Sequence, residues 1–211
     1  RHDGWFGTVA DCTGHGVPGA FMTLIASSCL GQAIEQHGPT DPSLLLGSVN
    51  RGIKQMLGQV NGQDETPESD DGMDAACFGY QASTRQLLFA GAKASLFVLH
   101  PGADGVEMVD GDRECVGYVA SGLDFTWQKR TLQMQTGSLV FVTTDGLIDQ
   151  VGGPKSIAFG QRRIRELILA KRDRPCSEIN RAMQQAMNAW QGHNHRRDDV
   201  TFFCFRVQEP Q

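Results

Sequence analysis

GMDAACFGYQASTRQLLFAGAKASLFVL, residues 72–99, is the stretch whose reading decides the fold. Side chains here favour a period of two, and the run is broken only by short turn signals. Strands are predicted over Ala75–Ala82, Gln86–Ala90, Ser95–His100 and Val106–Val109, separated by Ser-Thr-Arg, Gly-Ala-Lys and Pro-Gly-Ala-Asp-Gly turns. Upstream lies the acidic stretch NGQDETPESDDGMD (61–74), a loop by composition.

Working outward, Trp5–Ala10 reads as a short strand that stops at Asp11. Gly14 and Gly16 break it, and Pro18 suits the first turn of a helix carrying Val17, Phe21, Leu24, Ile25, Ala33 and Ile34 at helical spacings. Gly38-Pro39 ends that helix. Asp41-Pro42 reads as the N-cap and first residue of a second one, with Leu45, Val49, Ile53, Met56 and Val60 on one face. Downstream, Thr131–Gln135 and Leu139–Thr144 are predicted to form a hairpin around Thr136-Gly137-Ser138. Helices follow at Gln161–Ala170 and Cys176–Trp190, and the last strand is Asp199–Val207. The second of these helices lines up Cys176, Ile179, Met183, Met187 and Trp190. Runs of strands bracketed by helix pairs, without βαβ alternation, define an α+β sandwich.

The 211 residues fit one large domain better than two small ones. No continuous apolar run reaches the roughly 18 residues that span a bilayer, and RHDGWFGTVAD is no signal peptide. A cytoplasmic location without direct membrane contact is therefore expected, either alone or as the cytoplasmic domain of a larger, membrane-attached sensor. A net charge of −5 excludes nucleic acid as the main partner, because phosphate backbones require a basic footprint. The six cysteines show no C-x-x-C pair, and most lie in apolar segments such as ASSCLGQAI (26–34) and TFFCFRV (201–207). They read as free, mostly buried thiols.

Three aspartates stand out at strand ends. Asp11 closes WFGTVAD, Asp145 closes LVFVTTD, and Asp198 opens DDVTFFCFRV. An antiparallel last strand would begin beside the others' ends, so the three carboxylates would meet at one sheet edge. Converging carboxylates repel unless a cation neutralises them. Hard oxygen donors select Mg²⁺ or Mn²⁺ over zinc. Asp74 is a further candidate for this centre, weighed against a plain turn. His15 is a candidate for contacting substrate or protonating the leaving oxygen, weighed against a loop histidine that only hydrogen-bonds nearby. His193-Asn194-His195 reads as a solvated loop, and Arg196-Arg197 as surface. No cysteine has an arginine six residues later, and no G-x-x-x-x-G-K-[ST] loop occurs.

DCTGHGVPGAFM (11–22), LVFVTTDGL (139–147), FGQRRIREL (159–167) and RRDDVTFF (196–203) occur in the order and approximate spacing of the PPM (type 2C) protein phosphatases. The chain resembles most the bacterial SpoIIE/RsbU-like branch, and the opening stretch resembles that branch's middle segment. The resemblance covers nearly the whole chain, residues 1–211 being read as one PPM-type domain. It implies a four-layer αββα sandwich of two antiparallel sheets flanked by helices, with two Mn²⁺ or Mg²⁺ ions. Asp11 matches the bridging carboxylate and the Cys12 backbone carbonyl a ligand to one metal. Asp145 and Asp198 match ligands to the other, with Asp199 and Gly146 supporting them. The implied reaction is attack of a bridging hydroxide on phosphoserine or phosphothreonine of a protein, a STAS-domain regulator by analogy with relatives. One departure is that the family's Gly-Gly-Asp ligand is not found. Asp3 lies in the wrong place to replace it, so the first strand or strands are expected upstream of Arg1. A non-catalytic pseudophosphatase or partner-binding domain is the alternative, and a metal-dependent nuclease or small-phosphoester hydrolase a more distant one. Oligomerisation is left open.

Overall fold

The computed structural model describes residues 4–60 and 69–209. Asp3 and most of the 61–74 loop lie outside them. In chain order the elements begin with β1 (Gly4–Cys12), α1 (Gly16–His37), α2 (Pro42–Met56), β2 (Met73–Gln81) and β3 (Gln86–Ala92). There follow β4 (Leu96–Leu99), β5 (Glu107–Val109), β6 (Arg130–Gln133), β7 (Leu139–Thr143) and α3 (Asp145–Asp149). The chain continues through β8 (Val151–Gly152), β9 (Ile157–Ala158), α4 (Gly160–Ala170), α5 (Cys176–Gln191) and β10 (Phe202–Arg206). They divide into two compact units, Arg1–Ala94 with Gly111–Gln133, and Ser95–Asp110 with Met134–Gln211.

The first unit holds a four-stranded antiparallel sheet of order β1-β2-β3-β6. Helices α1 and α2 cover one face, where Met22, Ala26, Cys29, Leu45, Leu46, Val49 and Ile53 pack with Ala75, Cys77 and Ala90. Phe78 and Phe89, which alternate with Cys77 and Ala90, are buried as well. That is why these strands read as apolar throughout rather than as half-polar. Helix α2 starts as its sequence requires: Asp41 accepts hydrogen bonds from the Ser43 and Leu44 amides, and Pro42 needs no donor. Its C-terminal half reaches out through polar side chains. Buried Lys54 donates to the carbonyls of Tyr118, Val119 and Gln59, while Asn50 accepts from the Gly117 amide and donates to the Gly122 carbonyl.

Helix α1 departs from expectation. Its buried face is Met22, Ala26, Cys29 and Ala33, whereas Val17, Phe21 and Leu24 are 69%, 62% and 66% exposed. No charged residue occurs from Gly16 to Ile34, so apolar spacing alone marks no unique face. The smaller side chains take the contact with α2 and the sheet. By length and composition α1 is also apolar enough to cross a membrane, a correction to the continuous-run reading. Core helices pass the same measure. Met56 and Val60, expected on one face with Leu45, Val49 and Ile53, are 53% and 41% exposed; the helix ends at Met56, so Val60 lies beyond it.

The second unit holds a four-stranded antiparallel sheet of order β10-β7-β4-β5. Helices α4 and α5 cover one face, burying Ile164, Ile168, Ile179, Met183 and Met187 with Phe97, Phe141 and Cys204. Cys176 and Trp190 complete the α5 stripe as partly buried residues. The expected hairpin around Thr136-Gly137-Ser138 does not form. Strand β6 pairs with β3 in the first sheet, and β7 pairs with β4 and β10 in the second. The chain turns where the glycine predicts, with Gly137 at φ +88°, but changes sheets in doing so. The class observed is the expected one: α+β, with antiparallel sheets and flanking helix pairs.

Candidate metal centre

Asp145 and Asp198 are brought together by the register of β7 and β10. Phe202 lies opposite Thr143, so the turn entering β10 runs beside the residues leaving β7. Thr144 fastens the two. Its amide donates to the Thr201 carbonyl (3.0 Å), and its hydroxyl accepts from the Thr201 amide (3.1 Å) while donating to the Asp199 carbonyl (3.2 Å). The Thr143 hydroxyl donates to the Thr201 carbonyl as well (3.0 Å). A Cβ added to Gly146 would come 2.2 Å from the Asp199 carbonyl oxygen, so only glycine permits this approach. The T-D-G sequence is therefore a backbone clamp that holds the 198–201 turn beside Asp145.

Both aspartates sit slightly differently from the sequence reading. Strand β7 ends at Thr143 and Asp145 is the first residue of α3, while β10 starts only at Phe202, so Asp198 occupies the bend before it. The Asp198 carboxylate accepts from the Asp199 amide at 2.8 Å. Burial pushes the Asp145 carboxyl above its ordinary value, the Asp198 and Asp149 charges push it further, and amides at the start of α3 oppose them. Two carboxylates thus face one another at a real electrostatic cost.

In the first unit, Asp11 occupies the next-to-last position of β1, directly opposite Asp74 on β2. Like charges directly across a ladder disfavour each other. Burial raises the Tyr118 phenol, and Asp74, Cys115, Asp70 and Asp71 raise it further, so this end of β2 is strongly acidic. The turn after Asp11 is tied down by Thr13, whose amide donates to the Gly72 carbonyl (3.0 Å) and whose hydroxyl donates to Asp71 (2.9 Å). Gly14 then takes φ +85°, a conformation that an L side chain rarely adopts. The Cys12 thiol is raised by burial, with a hydrogen bond to Thr23 of α1 opposing. His15 stands exposed at the N-cap of α1, with no side-chain capping bond.

Asp145 and Asp198 thus stand together in the second unit and Asp11 near the end of β1 in the first, and each offers a carboxylate oxygen that could ligate a metal ion. Sequence reasoning missed Thr13, Thr143, Thr144, Asp71 and Tyr118. Only the two threonines of T-T-D carried a signal, a pair of hydroxyls immediately before an acidic strand end. His193 and His195 lie in an exposed turn, and Arg196 donates to Gln191.

The family model for stage II sporulation protein E (SpoIIE) matches residues 1–208. The chain is similar to the SiaA-PP2C domain of Pseudomonas aeruginosa, at 32% identity and a TM-score of 0.85, over 99% of this chain and 78% of that one. It is also similar to the RsbU and RsbW domains of Rv1364c from Mycobacterium tuberculosis, at 20% identity and a TM-score of 0.76. That match covers 100% of this chain but 53% of the other, so the chain spans about half its length. RsbX in complex with magnesium shares the fold at 16% identity and a TM-score of 0.62, over 97% of this chain and 81% of that one. Among curated proteins none matches. The fold is that of the PPM phosphatases. The chain belongs to the SpoIIE family of PP2C-type serine/threonine phosphatases, and is on that ground a phosphoprotein phosphatase domain.

Proposed function

We propose that Asp11, the Cys12 backbone carbonyl, Asp145 and Asp198 hold two Mg²⁺ or Mn²⁺ ions, and that the chain hydrolyses phosphoserine or phosphothreonine on a bacterial signalling protein. The carrying observation is the donor set. Asp11, Asp145 and Asp198 each offer carboxylate oxygens, the hard donors that Mg²⁺ and Mn²⁺ take. Two such ions, when bound, activate a water as nucleophile and neutralise the phosphoryl oxygens.

The remaining roles fall to the chain itself. Thr144 and Gly146 fix the 198–201 turn, so that Asp198 is presented at a set distance from Asp145. The Asp199 amide holds one Asp198 oxygen, which orients the carboxylate. Asp199 supports the centre through its backbone, and Asp74, opposite Asp11, is a further carboxylate that a bound cation would relieve of repulsion. To His15, exposed at the N-cap of α1, we assign contact with the phosphorylated residue or protonation of its leaving oxygen.

For the partner, a phosphorylated STAS-domain regulator is the reading we favour, by analogy with the SpoIIE family to which the chain belongs. Phosphate release from such a regulator should exceed release from an unstructured peptide carrying the same phosphoserine. Nucleotides should neither be cleaved nor compete. Equal rates on the regulator and the peptide would remove the STAS assignment, and nucleotide cleavage would remove the protein-phosphatase reading.

A further inference from the structure

The thiols of Cys176 and Cys204 lie outside the metal centre, and no part of the phosphatase reading uses them. Cys204 is 7% exposed and sits on the helix-covered face of the second sheet, within the core cluster against which Cys176 packs. Cys176 is the first residue of α5 and is partly exposed. Arg206, two residues beyond Cys204 and so on the same face of β10, holds the two in place. Its guanidinium donates to the carbonyls of Arg172 (2.7 Å), Arg174 (3.2 Å) and Gly137 (2.8 Å). The turn leading into α5 is thereby clamped over β10, and the two side chains hydrogen-bond to each other. Other thiols have other partners: Cys12 has Thr23, Cys29 has Met56 and Cys77 has Thr8.

We propose that Cys176 and Cys204 are a reversible oxidation site, at which a peroxide-class oxidant converts the dithiol to an intramolecular disulfide. Cys176, the more accessible sulfur, attacks one peroxide oxygen. The O–O bond breaks, water leaves, and the sulfur becomes a sulfenic acid. The Cys204 sulfur then attacks that sulfur, the S–O bond breaks, and the departing hydroxide takes the Cys204 proton to leave as a second water. Two electrons pass from the two sulfurs to the peroxide. The order follows from the surroundings: burial raises the Cys204 thiol, the neighbouring Cys176 raises it further, and Arg206 opposes them only in part, so Cys204 is the resolving partner. The closed loop contains α5 and the turn carrying Asp198, which gives an oxidant a covalent hold on that segment.

The test is peptide mapping of the folded chain after hydrogen peroxide treatment and alkylation. The expected result is a linked pair of peptides containing Cys176 and Cys204, a fall in alkylatable thiols from six to four, and full recovery with dithiothreitol. Cys176→Ser should abolish the link and leave Cys204 alkylatable, with unchanged circular dichroism. Both thiols remaining free, Cys176 accumulating as sulfinic acid without a link, or a link to another cysteine would each overturn the proposal. Wild-type mapping alone decides it if a variant fails to fold.

Discussion

Asp198→Asn separates two effects that the wild-type carboxylate combines. It removes a charge that raises Asp145, so the metal-free chain should melt higher than wild type. Phosphate release in manganese should fall by about 100-fold or more if Asp198 holds a metal ion as proposed. Differential scanning calorimetry in chelator, run beside a phosphopeptide assay, reads both. Gly146→Ala should instead lose stability and activity together, because its methyl group meets the Asp199 carbonyl at 2.2 Å. Calorimetry and the same assay on one preparation check this. At this scale the aspartates were legible in the sequence, because charges at the ends of apolar strands are conspicuous. The threonine clamp was not. Thr143 and Thr144 matter through bonds to residues more than fifty positions away, and those exist only once β7 and β10 are in register.

Helix α2 is the element whose start the sequence specified most completely. Asp41→Ala should cost about 1 kcal/mol, the usual worth of an N-cap, measured as a shift in urea midpoint. Burial raises the Asp41 carboxyl, but the Lys129 ammonium and the Leu44 and Ser43 amides outweigh it, so its folded value is lowered. A lowered carboxyl contributes stability that is fully present above its unfolded value, 3.8. That contribution is lost as pH falls through the lower folded value. Asp41→Asn should therefore keep most of the cap near neutrality and remove this part of the acid-side decline, seen in urea midpoints across acid pH. Further along the helix, Lys54→Met leaves three carbonyls without their donor and should cost about 2–3 kcal/mol by urea denaturation. Helix α1 was located correctly but its face was misread, since hydrophobicity without any charge does not orient a helix. Likewise Thr136-Gly137-Ser138 announces a turn and says nothing of which sheet receives the next strand.

At the scale of the whole chain, the α+β class followed from the switch between a period of two and helical spacing, whereas the division into two antiparallel sheets with helix pairs was implied by the resemblance to the PPM phosphatases. Family membership rests on a match spanning residues 1–208 and on the 32% identical SiaA-PP2C domain. The central claim is that this fold hydrolyses phosphoproteins through cations held by Asp11, Asp145 and Asp198. Its most direct measurement is phosphate release from a phosphoserine-bearing STAS regulator, titrated with Mn²⁺, for wild type and Asp145→Asn side by side. Release should saturate with Mn²⁺, stop in chelator, and fall by at least about 100-fold in the folded variant. Release that proceeds equally well in chelator, or undiminished in Asp145→Asn, would contradict it.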